Sequence, residues 1–133
     1  PLDFIQVAYS LANRAAAEAI LPLARPRRQA VLINLPFGGR RDSNLFAQVR
    51  DKALPPWAAE FGAGSWAQFF LKYVIGHPAV TALIPGMTKL ANLEDNARAG
   101  VGALPDGPMR QRIEKFWDEQ IAPGVTAPPA TAG

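Results

Sequence analysis

Residues 84–96, "IPGMTKLANLEDN", hold the densest set of groups able to grip a ligand. An apolar strand-like run ends at Pro85-Gly86, and Thr88 can cap a helix that runs to Gly100. Glycine lets a ligand come close to the backbone. Met87, Thr88 and Lys89 add amides, a hydroxyl and a cation, and the helix dipole adds partial positive charge. An anion, most naturally a phosphate, suits that set. An ordinary capped helix with a solvated first-turn lysine has the same pattern, so the segment alone leaves both readings open. The arginines of "RPRRQ" (25–29) and "GGRR" (38–41) could also meet phosphate. No aromatic residues interleave with them, which argues against nucleic acid as a partner. With no cysteine and a single histidine, disulfides are impossible and a thiolate or histidine-cluster metal site is not expected. His77, in the turn before a strand and on the face opposite the site, reads as structural.

These groups must be positioned by the elements around them. Residues 3–9, "DFIQVAY", alternate and favour a strand; "SLANRAAAEAILPLARPRRQ" is an alanine-rich helix pattern. Leu11, Ala15, Ala19 and Leu23 fall on one helical face, and Pro22 is expected to end or kink the helix. "AVLINLPF" (30–37) is a continuous apolar run, as when both faces of a strand are covered. The long connection at 38–64 carries glycine and charge and short helical patches, a length more often functional than idle. Trp57, Phe61 and Leu45 in it either line an apolar pocket or pack the connection onto the core. Ser65 and Gln68 fit a capping box for a helix whose stripe of Trp66, Phe69, Phe70, Tyr73 and Val74 reads as core. Gly76 and Pro78 stop it, and "AVTALI" is the third strand. A last helix follows Asp106, with Pro108 in its first turn and Met109, Ile113, Phe116 and Trp117 on one face.

The order β-α-β-loop-α-β-α-α predicts an α/β fold with a parallel sheet. One domain over 1–121 and a disordered tail at 122–133, "APGVTAPPATAG", are expected. The 49% hydrophobic content and near-zero mean hydropathy fit a globular chain of 133 residues. No apolar run reaches the roughly 18 residues of a spanning helix, and no basic-then-apolar leader opens the chain, so no membrane partner and a cytoplasmic location are expected. The chain begins without methionine, inside a strand pattern, which suggests a piece of something longer.

"DFIQVAYSL", "AVLINLPFGG" and "HPAVTALIPGMTKLANLEDNARAG" resemble, in order and spacing, the sixth, seventh and eighth strand segments of the aldo-keto reductase family. The likeness covers residues 2–117. Its most specific parts are the strand ending in Gln-x-x-Tyr-Ser, the helix "SWAQFFLKYVIGHP", and Ile-Pro-Gly followed ten residues later by Asn. The resemblance implies a partial (β/α)8 TIM barrel of three parallel strands with flanking helices and a C-terminal helix. It also implies a reductase that turns aldehydes or ketones into alcohols with NADPH, or less often NADH.

Residue by residue, the resemblance places Gln6 where a glutamine hydrogen-bonds the nicotinamide carboxamide. Asn34 stands where many members have a tyrosine stacked on the ring, and an amide cannot stack equivalently; Phe37 offers an apolar surface nearby. Leu35, Pro36, Phe37 and Gly38 match the loop along the pyrophosphate, with Arg40 or Arg41 in reach of phosphate oxygens. Gly86, Met87, Thr88 and Lys89 match the segment that holds the adenosine 2′-phosphate. Asn92 replaces an arginine many members use for the same group, which weakens the case for NADPH over NADH. Asn96 matches the adenine contact. The family's catalytic tyrosine, lysine, aspartate and histidine come from the first half of the barrel; neither Tyr9 nor Tyr73 matches the catalytic position. The expected partners are therefore a small-molecule carbonyl substrate and a missing N-terminal half of the barrel, without which the chain is expected to be inactive. The alternative is a non-enzymatic, nucleotide-binding sensor or interaction subunit of the same fold.

Overall fold

Alternating side chains in two short strands divide the centre of the molecule into a covered face and an open one. The structure, a computed structural model, describes residues 4–38, 44–84 and 97–122. Strand β1 (Phe4–Ala8) pairs in parallel with β2 (Ala30–Asn34), which pairs in parallel with β3 (Ala82–Ile84), in the order β1-β2-β3. The register sets Gln6, Leu32 and Ala82 side by side, and Ala8, Asn34 and Ile84 one layer nearer the carboxyl ends. Val31 and Ile33 are fully buried, and Ile5, Val7 and Leu83 pack partly buried against the same core. Opposite them Phe4, Gln6, Ala82 and Ile84 are exposed, and Leu32 and Asn34 half-buried. The uninterrupted apolar run of the second strand had suggested cover on both faces. Among the described residues only one face is covered.

The segment after β1 turns tightly: Ser10 N–H donates to Asn13 O (3.0 Å), and Asn13 N–H donates both to Ser10 O (3.2 Å) and to Ser10 Oγ (3.0 Å). Two short helices follow, α1 (Ala15–Ala19) and α2 (Leu21–Ala24), in place of one long one. Pro22, in the first turn of α2, cannot donate to the preceding turn, so the helix breaks just before it. The break also shifts the buried face. Ala16, Leu21 and Ala24 point inward, whereas Ala15, Ala19 and Leu23, expected on that face, are exposed.

The long connection contains α3 (Leu45–Gln48), capped by Asn44, and a 3-10 turn at Pro56–Phe61. Helix α4 (Trp66–Ile75) starts as a modified capping box: Ser65 Oγ accepts from Gln68 N–H (3.1 Å), while Gln68 Oε1 accepts from Gly64 N–H (2.9 Å). Its aromatic stripe is core, with Phe69, Phe70, Tyr73 and Val74 fully buried. Asp106 Oδ1 accepts from Met109 N–H (2.9 Å) to start α5 (Gly107–Phe116), which continues as a π-helical turn over Trp117–Ile121. Ile113 and Trp117 are its buried contacts. Residues 97–98 are helical and turn at Ala99-Gly100, whereas the rest of the helix expected from Thr88 lies outside the described residues. The tail from residue 123 lies outside the described residues, of which no helix is long and apolar enough to cross a membrane.

Candidate functional site

In a parallel sheet all strands point the same way, so their carboxyl ends gather the groups best placed to meet a ligand. Here those ends are Ala8, Asn34 and Ile84. Gln6 lies on the open face, one layer below and one strand across from Asn34. The structure therefore brings two primary amides to the same face of adjacent strands. Asn34 Oδ1 is buried and accepts no hydrogen bond, the one such side-chain atom among the described residues.

Beyond Asn34 the backbone turns sharply. Leu35 has a φ of 52°, a left-handed conformation that costs a leucine roughly 1–2 kcal/mol, and its side chain is 54% exposed. Gly38, at φ 84°, takes the left-handed position a glycine accommodates freely, and its N–H closes the turn on Leu35 O at 3.0 Å. Pro36 is buried and Phe37 half-buried. Leu45 N–H donates to Phe37 O (2.9 Å), and Gly38 bridges to Asn44. The loop is thus pinned to the start of α3. Phe37 packs on Phe46 (ring centroids 4.8 Å apart), so its apolar surface is shared with α3. Asn44, Phe46, Ala47 and Arg50 line a shallow depression of about 290 Å³ that includes neither Gln6 nor Asn34.

Leu45, Trp57 and Phe61 resolve toward packing. Leu45 and Phe61 are buried, and Trp57 stacks among Phe61, Phe69 and Phe116 with the Arg112 guanidinium 4.4 Å over its ring. Gly86, Met87, Thr88, Lys89, Asn92 and Asn96, and with them Arg40 and Arg41, lie outside the described residues.

Both tyrosines and the histidine are engaged on the covered side. Arg110 donates to Tyr9 Oη, Tyr9 donates to Tyr73 Oη (3.3 Å), and Tyr73 donates to Glu114 Oε2. Arg110 Nε also donates to Tyr73 O (3.1 Å), and its guanidinium lies 4.6 Å over the Tyr73 ring. Burial pushes both phenols above their ordinary range; at Tyr9 the nearby Arg110 charge opposes that push, and at Tyr73 the neighbouring Tyr9 and the hydrogen bond to Glu114 add to it. His77 Nδ1 accepts from Ala79 N–H (3.0 Å), its ring meets the Tyr9 ring edge-on at 6.0 Å, and burial, with Arg110 and Arg25, lowers its pKa. No proton donor among these three faces the open side.

Sequence reasoning missed this cluster and the fully buried Lys72. Its ammonium donates to Val101 O (2.8 Å) and Ala103 O (2.7 Å), and burial lowers its pKa. The signals were present: Arg110 and Glu114 stand four apart on one helix, as Tyr73 and His77 do around the end of α4, and Lys72 interrupts an otherwise apolar run. No group of three or more metal-binding side chains occurs among the described residues.

No family model and no curated protein matches the chain. Solved structures do. An aldo/keto reductase from Klebsiella pneumoniae, in complex with NADP and acetate, aligns at a TM-score of 0.63 and 25% identity, over 86% of this chain and 39% of that one. An aldo-keto reductase from Bacillus halodurans in its apo form aligns at 0.64 and 18% identity, over 87% of this chain and 44% of that one. The fold resembles part of an aldo/keto reductase barrel, as the motifs had suggested: α/β, with three parallel strands and flanking helices. The chain spans about two fifths of the length of the solved reductases it matches.

Proposed function

We propose that the chain is the cofactor-holding later part of an NADP(H)-dependent aldo-keto reductase that reduces aldehydes or ketones to alcohols, with NADH as a possible substitute. The observation that carries this reading is the pair of amides, Gln6 and Asn34, on the open face at the carboxyl ends of three parallel strands. A primary amide donates and accepts together, so Gln6 suits a carboxamide, and the unpaired Asn34 oxygen asks for one more donor. Backbone strain at Leu35, directly after Asn34, is of the kind found at ligand sites. The residues present therefore fit a nicotinamide ring.

When bound, the reduced nicotinamide supplies hydride to the carbonyl carbon. Gln6 would orient its carboxamide, and the turn from Leu35 to Gly38 would run along the pyrophosphate. Gly86, Met87, Thr88, Lys89 and Asn92 would hold the 2′-phosphate and Asn96 the adenine. The proton for the carbonyl oxygen would come from a tyrosine in five preceding βα units, since Tyr9 and Tyr73 are committed to the buried cluster.

The test is NADPH binding and carbonyl-dependent NADPH oxidation by the full-length polypeptide that contains this chain. Binding with turnover supports a reductase. Binding without turnover on any of a panel of aldehydes and ketones would favour a nucleotide sensor of the same fold, the reading that the engagement of both tyrosines also allows. No binding would sink the reading altogether.

A further inference from the structure

Asn34 offers something that an aromatic ring at the same place would not. Its side-chain oxygen is covered and unbonded, a state that is unfavourable for an acceptor. The last torsion of asparagine is broad and roughly two-fold, so the amide can turn its oxygen toward a donor on the open face. Gln6 stands on that face one layer below, in the adjacent strand, and is exposed. Leucine in the left-handed region immediately after Asn34 fixes the backbone from which the amide projects.

The geometry points to a two-amide receptor for a carboxamide, in which Asn34 Oδ1 accepts from the –NH2 of the ligand's nicotinamide while Gln6 engages the same group from the next strand. This inference rests on the nucleotide-binding reading. It adds a mode of selection. A stacked ring holds any flat aromatic head, whereas an acceptor committed to an N–H rejects an analogue that lacks it, because the acceptor is then left unpaired.

The experiment uses the full-length polypeptide and measures Kd by isothermal titration for NADP+ and for its 3-acetylpyridine analogue, which carries –C(O)CH3 in place of –C(O)NH2. Wild type is expected to prefer NADP+ by about tenfold or more. Asn34→Ala should shrink that ratio at least about threefold, chiefly by weakening NADP+. Asn34→Asp keeps an acceptor and should keep the ratio; its added charge acts on two equally charged pyridinium rings and cancels. Circular dichroism shows which variants fold. An unchanged ratio in folded Asn34→Ala overturns the inference and leaves nucleotide binding standing. If that variant does not fold, Asn34→Asp decides: a collapsed ratio would mean that the amide nitrogen, not the oxygen, makes the contact. Wild type that binds neither nucleotide removes the nucleotide reading and this inference together.

Discussion

Lys72 shows how a single side chain can hold a segment in place without a carboxylate. Its two bonds to the Val101 and Ala103 carbonyls tie the stretch before α5 to α4, and its ammonium end lies beside Gly62. Lys72→Met should cost about 1–3 kcal/mol, less than a deeper site would, because the released carbonyls belong to exposed residues that water can reach. Urea denaturation checks it. Gly76 makes the opposite point: a Cβ there would sit 2.8 Å from Pro105 O and 3.1 Å from Lys72 O. Gly76→Ala should therefore lower Tm, by about 1–3 kcal/mol of stability, although alanine is the better helix former. Neither effect was legible beforehand. A lysine inside an apolar stripe does not reveal which carbonyls it will meet, and a glycine at a helix end is ordinarily read as a stop signal. Here Gly76 has an ordinary right-handed φ of −66° and is small because Pro105 leans on it.

At the scale of elements, α5 is fastened by its cap, by the Arg110–Tyr9–Tyr73–Glu114 chain and by Arg14, whose guanidinium forks onto both oxygens of Asp118 at 2.9 Å. Asp106→Ala should cost about 1 kcal/mol through the lost cap. The tyrosines make a pH prediction. Both phenols are raised, so as pH passes 10.0 the unfolded chain releases protons that the folded chain keeps. The native state then binds more protons than the unfolded one, and stability must fall with rising pH, by up to about 1.4 kcal/mol per pH unit for each tyrosine. Below pH 10 the contribution is fully present. Urea midpoints should hold up to about pH 9.5, drop from about pH 10 upward in wild type, and drop less steeply in Tyr73→Phe; parallel slopes would contradict the assignment. Periodicity made α4 and α5 readable with their caps. It failed at α1 and α2, where the expected face assumed an unbroken helix and Pro22 restarted the count.

For the whole molecule, the sheet is the decisive feature. Three parallel strands with one covered face leave Phe4 at 59% and Ile84 at 50% exposure on the other. If five preceding βα units cover that face, the chain expressed alone should bind a hydrophobic dye and self-associate with concentration, and Phe4→Glu with Ile84→Lys should suppress both. In the full-length polypeptide the same pair should instead destabilise, because the charges would enter a packed interior. Light scattering of the two forms separates these outcomes. The parallel α/β class was legible from strand–helix alternation, whereas the open face was not. An apolar run such as "AVLIN" reads the same whether its second face meets helices, other strands or water.

The fastening of α5 also sets an order of events during synthesis. Arg110 and Tyr9 are 101 residues apart in the chain, and Arg14 and Asp118 are 104 apart. Strand β1 emerges from the ribosome long before the helix that secures its end has been made. Until then Tyr9 lacks Arg110 and Arg14 lacks Asp118, so slowed elongation ahead of residue 110 would prolong the interval in which the nascent chain depends on chaperones.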